Sequence, residues 1–310
     1  MASRDRVFLT GATGFVGSHI LRELLDSGYT VRALVRNGKH IDERAESVEG
    51  DLRDVGAFAP KLRGCRYLVH CAALYTFSPR AGREIAAVNV DGTASLLMAA
   101  HLAGIQRTVL TSSSATLGHA QGRYHRSKLE QERVAFAARI PTTALLPTAP
   151  VGPGDHKPTP TGKLVLDFTR GNIVAKAPGS GGMNLVAVED VARAHVAALQ
   201  LGRPGTRYAI GGENLSMDEI WTMLSEITGR PLPKWRAPYA LAIVAGCADE
   251  LRSRITGAEP DVPLEGVRMS RERMYADSSN AQRDLEYRPS PVRHALERAV
   301  AWFRDNGYVR

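Results

Sequence analysis

Residues 7–17 read VFLTGATGFVG, and this stretch decides the fold. A short apolar run over residues 7–10 stops at Gly11, and Gly14 and Gly17 follow at intervals of three. Residues 15–27 then carry apolar side chains at helical spacing, which predicts strand, tight turn and helix. Glycines let the backbone approach a pyrophosphate closely, and the helix N-terminus favours an anion. The stretch therefore predicts a dinucleotide-phosphate turn, the alternative being glycines that serve only close helix–strand packing.

The rest of the chain continues this alternation of strands and helices. Apolar runs at residues 30–36, 67–73, 108–112 and 143–147 are separated by helical patterns. Such alternation predicts a Rossmann-type α/β fold with a doubly wound parallel sheet. A Pro/Gly-rich loop at residues 147–162 follows, and the regularity weakens beyond it. We expect a dinucleotide-binding domain over residues 1–150 and a smaller mixed α/β substrate-binding region over residues 151–310, with some later segments returning to the first sheet.

Composition excludes several classes of protein. The 310 residues are 44% hydrophobic and 23% charged, as expected for a globular chain with a large core. The net charge of +8 is dispersed, so no nucleic-acid partner is expected. Three cysteines without ligand spacing predict neither a disulfide framework nor a metal site. No secretory signal or membrane segment is expected, and the interpretation is a cytoplasmic protein. The longest apolar run, residues 237–247, is interpreted as a core or substrate-lining helix.

The end of the second predicted strand bears on cofactor choice. About 20 residues after the last glycine, this fold presents an acid to NAD or an arginine to the 2′-phosphate of NADP. Arg36 stands there, with Lys39 close behind. NADP (NADPH) is therefore favoured, NAD remains an alternative, and Arg36 as a solvated surface residue is the other explanation. Asp51, after the next strand, is a candidate acceptor for the adenine amino group.

Tyr124 and Lys128 lie four residues apart at the start of a predicted helix, so they share one face. A nearby ammonium favours the phenolate, so we expect Lys128 to lower the pKa of Tyr124. Ser112, Ser113 and Ser114 end the preceding strand, at the sheet edge where ligands bind in this class of fold. The pattern predicts acid–base chemistry, and a partly exposed tyrosine beside a surface lysine is the plainer alternative.

With these motifs in place, the chain resembles the extended short-chain dehydrogenase/reductase family, also described as the NAD-dependent epimerase/dehydratase family. The matching stretches are residues 10–17 (TGATGFVG), 50–52 (GDL), 70–73 (HCAA), 89–93 (NVDGT), 111–118 and 124–128 (YHRSK). Within the family it is most similar to the dihydroflavonol-4-reductase-like group and the hopanoid-associated sugar epimerase type.

The resemblance implies a role for each matching residue. Tyr124 would be the general acid, Lys128 would hold the nicotinamide ribose, Ser113 would hydrogen-bond the substrate oxygen, and Asn89 would support the proton-relay geometry. The residues implied to bind the cofactor are Gly11, Thr13, Gly14, Phe15, Val16, Gly17, Arg36, Lys39, Asp51, Leu52, Ala72, Ala73, Tyr124, Lys128 and Pro147.

Two departures from the family bear on the substrate. Only ten residues separate Ser113 from Tyr124, where relatives carry a longer loop, so we expect a more open cleft. No acid follows the serines, which argues against a dehydratase, because elimination needs its own acid and base. Tyr75 and Phe77 are interpreted either as a substrate clamp or as local packing.

Three functions are carried forward. The first is an NADPH-dependent reductase of a ketone or aldehyde on a small, hydroxylated or ring-containing substrate. The second is a nucleotide-sugar epimerase that retains NAD, and the third is a non-catalytic NADP-binding regulator. Many relatives pair through the helices at residues 83–103 and 124–139, so a homodimer is also an expectation.

Overall fold

The strand–turn–helix unit at the start of the chain opens a parallel sheet in the computed structural model. The structure describes residues 5–36, 38–76, 80–118, 123–173, 175–176, 179, 181–256 and 264–309. Within these ranges the strands, in chain order, are β1 (Arg6–Thr10), β2 (Thr30–Val35), β3 (Glu46–Glu49), β4 (Tyr67–His70), β5 (Arg107–Thr111), β6 (Thr142–Pro147), β7 (Ala149–Val151), β8 (Ala175–Lys176), β9 (Gly182–Ala187), β10 (Arg207–Ile210), β11 (Glu213–Ser216), β12 (Trp235–Arg236) and β13 (Arg273–Met274).

The α-helices alternate with the strands along much of the described chain. In chain order they are α1 (Phe15–Asp26), α2 (Val55–Phe58), α3 (Gly82–Ala86), α4 (Gly92–Leu102), α5 (Arg123–Ala137), α6 (Pro160–Arg170), α7 (Val188–Leu201), α8 (Met217–Thr228), α9 (Tyr239–Thr256), α10 (Leu264–Met269), α11 (Ser279–Asp284) and α12 (Val292–Asp305). Short 3-10 turns lie at Leu52–Asp54, Ala59–Leu62 and Ser114–Leu117, and a π-helical turn at Ala87–Asp91 joins α3 to α4.

The main sheet has seven strands in the order β10-β6-β5-β4-β1-β2-β3. Every neighbouring pair is parallel, as the alternating sequence pattern predicts. The strand order reverses between β1 and β4, the position at which a doubly wound sheet opens a crevice at its carboxyl edge. The prediction of a Rossmann-type α/β fold is confirmed.

Both faces of this sheet are covered by helices. One face packs on α1 and α7 through side chains such as Ile20, Leu24 and Val191. The other packs on α2 and α4 through Phe58, Leu96 and neighbours. Because both faces are buried, the strands can be almost continuously apolar, which explains why their sequence shows runs rather than alternation.

A second, smaller sheet belongs to the later half of the chain. It has the order β11-β9-β13, with β7 also paired to β9. Helices α6, α8 and α12 pack on it through a separate core that includes Phe168, Trp221 and Phe303. The later half also returns to the first sheet, because β10 pairs with β6. The two-domain division of the sequence stays a prediction.

Of the two sequence interpretations of residues 237–247, a core helix or a substrate-lining helix, helix α9 contradicts the first. Only Gly246 and Ser253 of this helix are buried, and Leu241 and Val244 are each 65% exposed. Helical spacing of apolar residues predicts one apolar face but not the side on which that face lies. Here α9 lies outside both sheets, and its apolar face meets solvent.

One helical segment of the described residues, Gly82–Leu102, is long and apolar enough to cross a membrane by length and composition alone. Its residues Leu96, Leu97 and Ala100 are buried in the core beneath the main sheet. Core helices of soluble proteins have the same composition. We therefore interpret this segment as a core helix.

Two buried histidines are held neutral by the core. His195 of α7 has Nδ1 2.7 Å from the Val191 carbonyl oxygen and Nε2 2.7 Å from the Thr111 hydroxyl. His70, at the end of β4, lies 2.7 Å from the Thr10 hydroxyl. Burial lowers the pKa of His70 to about 3 and that of His195 to about 4. Both rings are therefore uncharged at neutral pH.

We expect Gly17→Ala to destabilise the protein by about 2 kcal/mol or more. A Cβ at this position would lie 1.9 Å from the Gly11 carbonyl oxygen, which is backbone and cannot move aside. The matched control is Gly56→Ala, where the nearest atom is 3.7 Å away. That change should be neutral or stabilising, since alanine is the better helix former. Equal free energies of unfolding for the two variants, measured in denaturant, would contradict the close approach.

The free energy of unfolding should fall as the pH is lowered from about 7 to 4. Unfolding lets His70 and His195 take up protons near their ordinary pKa of 6.5, while the folded state keeps them neutral. Each group contributes a slope of up to about 1.4 kcal/mol per pH unit. His195→Asn should flatten the dependence measured by denaturant titration, and the exposed-site control His294→Asn should not. A slope unchanged in His195→Asn would rule out this explanation.

Candidate active site

A cleft of about 1020 Å³ opens at the carboxyl edge of the main sheet. Residues that directly follow β1, β2, β3, β4 and β5 border it, as the reversal of strand order requires. The predicted site residues that line it are Gly11, Thr13, Gly14, Phe15, Val16, Gly17, Arg36, Asp51, Leu52, Ala72, Ala73, Ser113, Tyr124, Lys128 and Pro147. Two predicted residues, Asn89 and Lys39, are not part of the lining.

The glycine turn fits a pyrophosphate. Gly11 has φ of +80°, and a Cβ there would lie 2.7 Å from the Ala72 amide nitrogen. Gly14 is the N-cap of α1 and no side chain caps the helix. The first-turn amides of a helix have no partner within it, so they point into the cleft with the positive end of the helix dipole. The residues present are therefore suited to hold the diphosphate of a dinucleotide.

At the far end of the cleft, two arginines surround one aspartate. Arg53 binds the Asp51 carboxylate with Nε at 2.9 Å and Nη2 at 2.8 Å. These hydrogen bonds from Arg53 hold the pKa of Asp51 at about 2. Arg36 lies 3.9 Å from the same carboxylate, with its side chain 63% exposed. Arg36 is thus free to meet another anion, whereas Asp51 already has strong donors. Sequence reasoning missed Arg53.

Tyr124 and Lys128 project from α5 into the other end of the cleft. The Tyr124 ring packs edge-on against Tyr75, with centroids 4.5 Å apart. Burial raises the pKa of Tyr124 above its ordinary value. The direction is opposite to the sequence expectation that Lys128 lowers this pKa, because desolvation of the phenol is the largest cause of the shift.

The Lys128 ammonium is held by two oxygens. Its Nζ donates to the Thr111 carbonyl oxygen and to Gln131 Oε1, each at 2.6 Å. Burial lowers the pKa of Lys128 to about 8. Gln131 is in turn anchored, since its amide donates to the Thr93 hydroxyl at 2.9 Å. This network fixes the side-chain conformation of Lys128 beneath the cleft.

The three consecutive serines after β5 differ in their partners. Ser113 opens the 3-10 turn and its hydroxyl accepts from the Ala115 amide at 3.3 Å. The Ser112 hydroxyl is buried and donates to Glu132. Because Ser112 is committed to Glu132, the structure favours Ser113 over Ser112 as the substrate-facing hydroxyl. Its catalytic role stays a prediction.

Asn89 lies behind the cleft wall and is fully buried. Its Oδ1 accepts from the Leu74 amide at 2.7 Å, and its Nδ2 donates to the Leu74 carbonyl oxygen and the Ser127 hydroxyl, each at 3.1 Å. Ser127 lies on α5 beside Lys128. Asn89 therefore ties the loop after β4 to the helix that carries Tyr124 and Lys128, which is a positioning arrangement.

Three residues that sequence reasoning missed complete the region: Gln131, Glu132 and Arg207. Glu132 lies one helical turn beyond Lys128, so the signal was the spacing of four from Tyr124 to Lys128 to Glu132.

The predicted cofactor residue Lys39 lies in the loop after β2 and lines a separate shallow depression at residues 38–47.

The connection before Tyr124 is only partly described. Residues 119–122 and Phe77 lie outside the described residues, so the expectations of an open cleft and of a clamp that includes Phe77 stay predictions. Among the described residues, no group of three or more His, Cys, Asp and Glu could hold a metal ion.

Comparisons with known proteins agree with this geometry. Residues 7–211 match the model of the NAD dependent epimerase/dehydratase family. The chain is 38% identical to a Synechocystis sp. protein with the provisional name dihydroflavonol 4-reductase, over 100% of this chain and 98% of that protein. It is 32% identical to sterol demethylase protein B of Methylococcus capsulatus, over 97% of this chain and 99% of that protein.

Among solved structures, the crystal structure of gox2253 has a TM-score of 0.86 at 35% identity and covers 99% of this chain and 100% of its own. The family model spans both the glycine turn and the Tyr124–Lys128 pair. The chain therefore belongs to the NAD-dependent epimerase/dehydratase family and is an oxidoreductase of the extended short-chain dehydrogenase/reductase type.

Proposed function

We propose that the protein reduces a ketone or aldehyde on a small, hydroxylated or ring-containing substrate with NADPH. One observation carries the proposal: a single cleft has Ser113, Tyr124 and Lys128 at one end and an exposed Arg36 at the other, with the glycine turn also in its lining. The first group suits proton transfer to a carbonyl oxygen, and the second suits a 2′-phosphate.

When bound at the glycine turn and Arg36, NADPH would supply a hydride to the carbonyl carbon and leave as NADP⁺. The Tyr124 hydroxyl donates its proton to the carbonyl oxygen, so a C–H and an O–H bond form while the C=O π bond breaks. The Ser113 hydroxyl donates a hydrogen bond to the same oxygen and favours the developing negative charge. Because burial raises the pKa of Tyr124, the phenol stays protonated at neutral pH. The protonated phenol is the form that reduction needs.

Lys128 contributes a fixed positive charge beneath the reacting end of the cleft. Its pKa of about 8 leaves most of the side chain protonated at pH 7. In the proposed complex its ammonium binds the nicotinamide ribose and favours the phenolate that Tyr124 becomes after donating its proton. The Thr111 and Gln131 oxygens hold the ammonium in place for this work.

The preference for NADP rests on charge at the adenosine end. Arg53 satisfies Asp51 with two short contacts, which leaves the Arg36 guanidinium with one contact of 3.9 Å. Arg36, Arg53 and Asp51 together carry a net charge of about +1, which attracts a negatively charged 2′-phosphate. No acid stands at the end of β2, where NAD would find a partner for its ribose hydroxyls.

A ring-containing substrate is supported by the walls of the cleft and by the relatives. Tyr75, Met183, Met274 and Tyr275 border the cleft and offer broad apolar surfaces. The names of the two relatives point to a flavonoid and a sterol, both of which are polycyclic.

A nucleotide-sugar epimerase with retained NAD is the second candidate, since the family includes epimerases. Tightly bound NAD in the purified protein would favour it.

Two further properties complete the proposal. We propose a homodimer through α4 and α5, because Met98 and Leu102 of α4 are 60% and 79% exposed. We also propose a cytoplasmic location with no nucleic-acid partner, on the grounds of the dispersed charge and the free cysteines.

Tyr124→Phe should lower kcat for carbonyl reduction by about 100- to 10,000-fold, because it removes the proton donor. The ring contact with Tyr75 remains, so the fold should be intact by circular dichroism. The control Tyr275→Phe removes another cleft hydroxyl and should change kcat by less than about threefold. Unchanged turnover in Tyr124→Phe would remove the catalytic assignment. A wild-type protein that binds NADPH but reduces no carbonyl would favour a non-catalytic regulator.

Arg36→Ala should raise the KM for NADPH by about 10- to 100-fold and leave the KM for NADH nearly unchanged, because a charge-assisted phosphate contact is lost. The control is Arg44→Ala, an arginine of similar exposure bound to Asp26 and Asp42 outside the cleft. Initial rates at varied cofactor concentration measure both constants. If the KM of the wild type for NADPH is no lower than its KM for NADH, the Arg36 argument fails and the epimerase becomes the better candidate.

A further inference from the structure

The chemistry proposed above makes no use of a buried carboxylate that lies beside it. Glu132 has a side chain only 3% exposed and lies on α5, one turn after Lys128 and two after Tyr124. A buried ionised group is costly unless it is paired and hydrogen-bonded, so its partners indicate what holds it there.

Both oxygens of the Glu132 carboxylate have partners. Oε1 accepts from the Ser112 hydroxyl and lies 2.7 Å from the Thr116 hydroxyl. Oε2 forms an ion pair with Arg207 Nε at 2.7 Å. The same arginine binds Thr116 twice, with Nη2 3.0 Å from its carbonyl oxygen and 2.7 Å from its hydroxyl. Glu132, Arg207 and Thr116 therefore form a closed triangle of contacts.

This triangle brackets Ser113. Ser112 precedes Ser113 and Thr116 follows it, and both hydroxyls meet the same oxygen of Glu132. The Thr116 hydroxyl also lies 2.8 Å from the Ser113 carbonyl oxygen. The turn that carries Ser113 is therefore fastened on both sides to the helix that carries Tyr124 and Lys128.

Glu132 also acts on Lys128 through charge. Its carboxylate favours the protonated form of the buried ammonium and raises the pKa of Lys128, against the larger lowering by burial. Gln131 and the Thr111 carbonyl are neutral partners, so they orient the ammonium without a full counter-charge. Arg207 forms an ion pair with the other carboxylate oxygen of Glu132, at 2.7 Å.

We propose that Glu132 is a positioning residue, which with Arg207 fixes the Ser113 turn against the Tyr124–Lys128 helix and places a carboxylate one helical turn from Lys128. The proposal rests on the proposed function, because it assigns Ser113, Tyr124 and Lys128 to one reaction. It adds a residue from β10, in the later half of the chain, to the support of that site.

The test uses Glu132→Gln in the full chain, which keeps the shape and removes the charge. We expect kcat to fall about 10- to 100-fold, with the KM for NADPH within about threefold of wild type. The alkaline limb of the kcat profile should move to lower pH by at least about half a unit, because Lys128 loses the charge that favours its protonated form. The same shift should appear in NADPH binding followed by fluorescence between pH 6 and 10.

The matched control is Asp190→Asn. Asp190 is also a buried carboxylate with an arginine and a serine as partners, Arg193 and Ser290, but it lies outside the cleft lining. It should lower stability without moving either pH limb. If Glu132→Gln also leaves both limbs and kcat as in wild type, Glu132 is only structural and the proposal is wrong.

A second variant covers the case in which Glu132→Gln does not fold. Ser112→Ala removes one hydrogen bond and keeps the charge, so kcat should fall about three- to tenfold with both limbs unmoved. Full activity in Ser112→Ala would overturn the positioning role. NADPH binding is measured without substrate. If the protein reduces no carbonyl, the proposed function fails, but the pH dependence of NADPH binding still decides the role of Glu132.

Discussion

The buried ammonium of Lys128 is the constraint around which the cleft is arranged. A cation with only 2% of its surface exposed must be compensated locally, because water cannot do so. The Thr111 carbonyl oxygen, at the end of β5, and Oε1 of the buried Gln131 side chain both accept hydrogen bonds from this ammonium. Gln131 then needs Thr93, whose hydroxyl donates to the Asn89 carbonyl oxygen. The polar core beneath the cleft follows from this one charge.

This polar core also connects the segments that border the cleft. Asn89 joins the loop after β4 to α5, and Glu132 joins the serine turn to the same helix. Buried hydrogen-bond networks hold side chains in one conformation. In this one Arg207 Nε approaches Glu132 as an ion pair but makes no hydrogen bond among the described residues. The proposed catalytic side chains are thus placed by contacts among α5, the serine turn and the loop after β4.

Most of the main sheet and the placing of the cleft could be predicted from sequence, because both depend on local patterns. The glycine turn at residues 11–17 and the spacing of Tyr124 and Lys128 are short-range features, and the carboxyl edge of a parallel sheet brings them together. The exposed face of α9 and the raised pKa of Tyr124 could not be predicted, since both depend on what surrounds the residue in space. Arg207 was missed for the same reason, as it lies 75 positions from Glu132.

The pairing of β10 with β6 has a consequence for the order in which the protein is made. Every residue of β6 is buried, and β10 closes the edge of the sheet beside it. Until residue 207 leaves the ribosome, β6 presents an open apolar edge and Glu132 has no arginine to pair with. The nascent chain therefore holds the proposed catalytic side chains before Arg207 can pair with Glu132. The first two-thirds of the chain pass through a stage in which chaperones have a sheet edge to protect.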